Sequence, residues 1–404
     1  MNMTNIAILG FGVVGSGVAD LITKNSAEVT RLGGDGISIK YILDLRDFPD
    51  SPFADRVVHD FGVIVGDPEV DTVIEVMGGS HPAYEYTMAA LSAGKNVISS
   101  NKEVVANFGD EFLAMAEKMG VSYRFEAAVG GGIPVISPMI GCVGQNKITE
   151  VRGILNGTTN YILTKMFTFG DGFEESLLDA QEKGYAERNP DADILGTDAC
   201  RKIAILTALA TGKLIPTDRI HTEGITKIRK ADVEASEKVG LKIKLLGRCI
   251  ISDEGIDVMV APFMLSLDTP LSGVSGVYNA VEVLGEPIGS VMFYGPGAGA
   301  GPTASAVVGD LMQVMRSGRC VAQPVMERST DGVRDFGDFE SRSYIAISGG
   351  CPDCIRAAFG EVQYISAEGE TAFITRSMKE SEALLAIEAL AARGEELKSR
   401  IRLI

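Results

Sequence analysis

The chain is short of positive charge. Of its 404 residues, 37 are lysine or arginine and 54 are aspartate or glutamate, a formal balance of 37 − 54 = −17. No basic run or basic amphipathic helix offsets this, and an acidic surface repels phosphate backbones, so nucleic acid is excluded as an expected partner. Long apolar runs are missing too. No stretch approaches the ~20 residues that span a bilayer, so no membrane role is expected. The opening MNMTNIAILGFG has no basic segment or small-residue cleavage site before its apolar run. The expectation is a cytoplasmic protein without a secretion signal.

Histidine is scarce. His59, His81 and His221 are the only three, and none lies within ligand spacing of a cysteine or another histidine, which argues against a zinc centre. The six cysteines, Cys142, Cys200, Cys249, Cys320, Cys351 and Cys354, are scattered apart from the last two. That pattern suits reduced thiols in a cytosolic enzyme rather than a disulfide framework. The exception, CPDC at 351–354, has the spacing of a redox pair, but no thioredoxin-like βαβ pattern surrounds it, which argues against that role. No glycine run ends in Gly-Lys-Ser/Thr, so there is no P-loop. Repeats and low-complexity tracts are absent.

What remains is the composition of a globular protein, 46% hydrophobic and 23% charged, with too many residues for one small core. Residues 1–135 alternate strand-like runs (NIAILGFG, ISIKYILDL, TVIEVMG, NVISS, VSYRFEAAV) with helical patterns. Such alternation predicts an α/β unit, a doubly wound parallel sheet of the Rossmann type that binds a nucleotide. Residues 136–320 mix strands and helices and predict an α+β domain. After the polar stretch STDGVRDFGDFE, residues 341–404 read βαββαβ, a third and smaller domain.

GFGVVG places Gly10, Gly12 and Gly15 in G-x-G-x-x-G spacing, directly after a strand and opening a helix. Such glycines permit a tight turn and close approach of a pyrophosphate, and the helix N-terminus favours its charge. Phe11, Val13 and Val14 complete that loop. Asp44 and Arg46 end the second strand. The acid suits the ribose hydroxyls of NAD and the guanidinium the 2′-phosphate of NADP, so cofactor choice stays open. Asp44 follows Gly15 by 29 residues, against the usual ~20, and a hairpin-like insertion at RLGGDGIS accounts for the excess. Gly78, Ser100 and Lys102 sit where the third and fourth strands end, the edge that faces a ligand crevice. For Lys102 the alternative is a surface lysine at a helix start. EAAVGGGIP, 126–134, either gathers carbonyls around a monovalent cation with Glu126 or lets backbone pass close to the cofactor.

GILNGTTNYIL, 153–163, is a strand that restarts as a helix, with Thr158 or Thr159 as its cap. In GYAERNPDADILGTDACRK, residues 185–195 read as a loop and a helix follows. Asp198 and Lys202 are i and i+4 on that helix, acid first, so they share a face. They are a surface ion pair, or they border the core, since Ala199, Ile203 and Leu206 share the same turns.

SSNKEVV, GGGIP, GILNGTTNYIL and GYAERNPDADILGTDACRKIAIL, in this order, resemble homoserine dehydrogenase, as does the late GAGAGPTASAVVGDL. The resemblance spans about 1–320. It implies interconversion of L-homoserine and L-aspartate 4-semialdehyde with NADP or NAD. Lys202 and Lys102 would handle the proton at the carbonyl oxygen. Glu187 and Asp198 would hold the amino end, and Thr158 and Tyr185 would line the pocket. Gly297 and Gly299 would complete the cofactor pocket. Glu126 with the backbone of Val129, Gly131 and Ile133 would hold a monovalent cation, sodium in kind. A homodimer or homotetramer is implied, and an ACT-like tail, although the usual Asp-x-Pro-Gly turn is replaced by SGGCPDC. The alternatives are a dehydrogenase of another amino-acid semialdehyde and a noncatalytic NAD(P) sensor. The set Glu187, Asp198 and Lys202 speaks against the first, and retention of both lysines against the second.

Overall fold

The structure is a computed structural model and describes residues 3–317, 323–365 and 369–404; Cys320 lies outside them. The chain divides into two compact units. The first holds residues 1–147, 204–217 and 293–330, and the second 148–203, 218–292 and 331–404.

The first unit is built on a six-stranded sheet. Its strands are β1 (Met3–Leu9), β2 (Gly36–Leu43), β3 (Val57–Val58), β4 (Thr72–Glu75), β5 (Asn96–Ser99) and β6 (Tyr123–Arg124). They lie in the order β3-β2-β1-β4-β5-β6, and every pairing is parallel. Both faces are covered, so every residue of β4 and β5 and the last four of β1 are buried rather than alternating. One face packs on α1 (Val13–Lys24), through Val18, Ala19 and Ile22. The Ala300–Ser317 helix returns to the same core with Ala304, Val307, Val308 and Leu311. Strand order reverses between β1 and β4, so the turns leaving these two strands open a crevice at the switch point. The expected hairpin before β2 is instead a second helix, Ser26–Gly33, because Val29 and Gly33 repeat at helical spacing and are buried.

The second unit carries a mixed sheet. Its strands include β7 (Lys147–Ile154), β8 (Leu241–Ser252), β9 (Gly255–Ser266), β10 (Tyr278–Glu286), β11 (Ser343–Ile347), β12 (Gln363–Ile365), β13 (Thr371–Ile374) and β14 (Leu397–Leu403). The order is β10-β7-β8-β9-β14-β11-β13-β12. The centre is the long antiparallel hairpin β8–β9, paired from Leu241↔Ser266 to Ser252↔Gly255. Three helices matter below: α2 (Lys102–Met119) in the first unit, α3 (Gly157–Phe169) in the second, and α4 (Thr197–Thr211), whose turns through Ile203 belong to the second.

Residues 341–404 show the order strand, helix, two strands, helix, strand, with α5 (Pro352–Phe359) and α6 (Glu380–Ala391) as the helices. In space their four main strands run fourth, first, third, second, the arrangement of a split βαβ motif. Ile345, Ile355, Phe359, Phe373, Ala386 and Leu390 form their shared core. This segment does not stand alone, because β14 pairs with β9 at Phe263↔Arg402. Arg402, almost fully buried, donates to Glu380 at 2.9 Å and to Glu223 at 2.8 and 3.0 Å.

Candidate active site

The crevice in the first unit is shaped by backbone. Gly10 has φ +94, a conformation other residues rarely adopt, and a Cβ on Gly15 would lie 2.0 Å from the Gly10 carbonyl oxygen. Gly12 is the N-cap of α1 and supplies no side-chain cap, so the first N–H groups of α1 have no partner from it, and a Cβ added there would meet nothing within 4 Å. A dinucleotide pyrophosphate fits such a cradle. Asp44, at the end of β2, accepts from the Phe11 N–H at 2.8 Å and the Arg46 N–H at 3.0 Å. The Arg46 guanidinium grips the same carboxylate at 2.9 and 3.0 Å and holds its pKa well below the usual carboxylate range. Arg46 itself stands exposed above the Phe48 ring. Acid and base at this position therefore form one unit.

The ends of β4 and β5 are tied by residues that the sequence reading passed over. Glu75, fully buried, accepts from Ser99 Oγ at 2.6 Å and the Met77 N–H at 2.9 Å, and burial raises its pKa. Asn101 caps α2 and donates to the Gly79 carbonyl at 2.7 Å. These bonds fix Gly78, Ser100 and the half-buried Lys102, the first residue of α2, around one rim.

The two glycine segments meet in the first unit. A Cβ on Gly131 (φ +55) would lie 2.4 Å from the Gly297 carbonyl oxygen, and the Gly132 N–H donates to the Pro296 carbonyl at 3.3 Å. Gly297 and Gly299 thus sit against the GGGIP turn, at the start of the Ala300–Ser317 helix. Glu126 lies beside the same turn. Its carboxylate accepts the N–H groups of Val135, Ile136 and Ser137 at 2.7, 2.8 and 2.7 Å. Behind it, Asp310 accepts from the Glu126 N–H and from Arg124, yet complete burial pushes its pKa up to about 7.

In the second unit the ion pair is not on the surface. Lys202 is 7% exposed and Asp198 3%. Lys202 Nζ donates to Asp198 Oδ2 at 2.8 Å and to the Leu155 carbonyl at 2.6 Å. Asn156, where β7 turns into α3, donates through Nδ2 to Asp198 at 2.9 Å and to Asp193 at 2.7 Å. Its Oδ1 accepts from the Thr159 N–H at 2.9 Å. The cap of α3 is therefore Asn156 and neither threonine, because the longer amide reaches both the helix start and the carboxylates. Thr158 Oγ1 donates to the Tyr185 carbonyl at 2.7 Å, which ties the loop to α3, and the Tyr185 ring tilts against Tyr161. The loop is broken by a short helix, Asp191–Ile194, that presents Asp193. Desolvation, reinforced by Asp198, raises the Asp193 pKa. Glu187 stands exposed on the loop. The result is a buried lysine, two carboxylates and one amide joined by three hydrogen bonds. Such a set can accept an ammonium and give or take a proton at an oxygen.

Among the described residues, no helix is long and apolar enough to cross a membrane. No group of three or more histidine, cysteine or acidic residues there is placed to hold a metal ion.

Comparison with known proteins gives two family matches. Residues 134–312 match the homoserine dehydrogenase model, and residues 10–126 match the model of the homoserine dehydrogenase NAD-binding domain. The homoserine dehydrogenase of Synechocystis is 41% identical over 318 residues, covering 77% of this chain and 73% of its own. That of Bacillus subtilis is 39% identical over 326 residues, covering 79% and 74%. The crystal structure of a homoserine dehydrogenase from Thiobacillus denitrificans superposes with a TM-score of 0.92 at 33% identity, across 100% of this chain and 99% of its own. A hyperthermophilic archaeal homoserine dehydrogenase in complex with NADPH gives 0.68 at 27% identity, across 78% of this chain and 99% of its own.

Proposed function

The chain belongs to the homoserine dehydrogenase family, and from that premise we propose that it interconverts L-homoserine and L-aspartate 4-semialdehyde, with Lys202 at the reacting oxygen. The observation that carries this reading is the buried cluster of Lys202, Asp198, Asn156 and Asp193. NAD(P) supplies or accepts the hydride. The chain's own residues do the rest. Gly10 to Gly15 and the start of α1 bind pyrophosphate, with Gly78, Ser100, Gly297 and Gly299 around it. Asp44 and Arg46 meet the adenosine ribose or its phosphate.

The substrate carries an α-ammonium at one end and a hydroxyl or aldehyde at the other. An ammonium leaving water needs carboxylate partners. Asp193 and Asp198 serve that end, with Glu187 added from the loop and Thr158 and Tyr185 shaping the pocket. At the other end, reduction of the aldehyde creates alkoxide character, and a lysine ammonium stabilises that charge and supplies the proton. Lys202 does this, assisted by Lys102. Oxidation of homoserine releases a proton, so alkaline solution favours that direction. Glu126 with the backbone carbonyls of Val129, Gly131 and Ile133 is the site for a monovalent cation, a structural clamp on the GGGIP turn.

Residues 1–135 act as the nucleotide-binding domain, 136–320 as the catalytic and dimerisation domain, and 341–404 as an ACT-like regulatory domain. Its split βαβ strand order supports that reading. A homodimer working in the cytoplasm completes it. The test is absorbance at the nicotinamide band with purified protein and NAD⁺ or NADP⁺ at alkaline pH, with and without L-homoserine. Reduction that depends on homoserine is expected. Cofactor binding without reduction would overturn the reading.

A further inference from the structure

The motif that this function leaves unused is CPDC in the C-terminal segment. Cys351 is the N-cap of α5 and exposed, and its Sγ accepts the Cys354 N–H at 3.4 Å. Pro352 opens the helix. Positions i and i+3 of a helix start stand about 5–6 Å apart at Cβ, within reach of a disulfide after a small adjustment. Cys354 packs at the edge of the core formed by Ile355, Phe359 and Leu390, while Cys351 faces outward. The pair is thus asymmetric. A metal would need more donors, and no group of three or more is placed around it among the described residues.

We propose that Cys351 and Cys354 form a thiol–disulfide exchange site for a low-molecular-weight disulfide of the glutathione type, with Cys351 attacking and Cys354 resolving. The Cys351 thiolate attacks one sulfur of the incoming disulfide, forming a mixed disulfide and expelling one thiolate. Cys354 then gives up its proton and attacks Cys351 Sγ, releasing the second thiol. The protein dithiol loses two electrons and two protons overall, and the small disulfide becomes two thiols. The electrostatics run the same way: the bonds from Cys354 lower the Cys351 pKa, and the same contact raises that of Cys354. An exposed sulfur at a helix N-terminus is the reactive kind. This inference rests on the C-terminal segment alone and is independent of the dehydrogenase reading.

The test uses the full chain with oxidised glutathione as probe, followed by peptide mass spectrometry. Wild type should lose both thiols at 351 and 354 as an internal disulfide without an adduct, and dithiothreitol should restore them. Cys354→Ser should accumulate a glutathione adduct on Cys351. Cys351→Ser should leave Cys354 unmodified over the same time. In untreated wild type, iodoacetamide should label Cys351 before Cys142, the other exposed thiol described. The proposal is overturned if wild type keeps both thiols, or stops at a mixed disulfide. It is overturned equally if Cys142 labels as fast as Cys351.

Discussion

Replacing Lys202 with methionine keeps most of the side-chain volume and removes the charge and the proton. Asp198, 3% exposed, then loses its partner at 2.8 Å and keeps the Asn156 amide at 2.9 Å. Breaking one side of a buried ion pair costs about 3–5 kcal/mol. The surviving hydrogen bond places this case near the low end, about 3 kcal/mol. Adding Asp198→Asn removes the stranded charge, so the double variant should recover about 2 kcal/mol of that loss. Catalysis should not recover. Loss of a positioned proton donor costs roughly 10²–10⁴ in rate, or about 2.7–5.4 kcal/mol of barrier. The assay is urea unfolding beside steady-state reduction of the nicotinamide, for both single variants and the double. The reasoning fails if Lys202→Met keeps kcat within about threefold of wild type. It fails also if the double variant is less stable than Lys202→Met alone.

Four further outcomes follow from the geometry. Arg46→Ala frees Asp44 from its ion pair and should move the ratio of kcat/KM for NADP to that for NAD by about tenfold or more toward NAD, the size of one lost charge-assisted phosphate contact. Gly131→Ala combines a positive φ with a carbonyl 2.4 Å away and should destabilise the first unit by about 2–4 kcal/mol, read as a lower Tm. Asp310 holds its proton up to about pH 7 when folded but not when unfolded, so the folded state binds more protons between about pH 4 and 7 and stability falls as pH rises through that window. Asp310→Asn should flatten this slope in unfolding measured at pH 5 and pH 8. Arg402→Met leaves the fully buried Glu380 with Arg400 as its remaining cation and should cost about 3 kcal/mol in urea unfolding.

Much of the first unit was legible because its signals are local. A strand, three spaced glycines and a helix follow one another within residues 3–24, and no distant residue is needed to read them. Asp198 and Lys202 were legible for the same reason, four residues apart on one helix. That the pair is buried was not, since burial is decided by Leu155 and Asn156, more than forty residues earlier. Asn156 read only as a residue between a strand and a helix, and its amide joins two carboxylates and a helix cap. Asp193 was hidden in an expected loop that is partly helical. Glu75 read as one more residue of a strand, and its burial beneath Ser99 depends on how β4 and β5 pair. The hairpin expected before β2 failed because two adjacent glycines outweighed the helical spacing just before them. That the Glu126 carboxylate takes three N–H groups was hidden as well, because those donors come nine to eleven residues later.

The central claim is that hydride leaves the hydroxyl-bearing carbon of homoserine. It is tested most directly with L-homoserine deuterated at that carbon, NADP⁺ or NAD⁺ and the purified protein, followed by mass analysis of the reduced nicotinamide. The account predicts one deuterium per reduced cofactor. A reduced cofactor without the label, or no reduced cofactor at all, would contradict it.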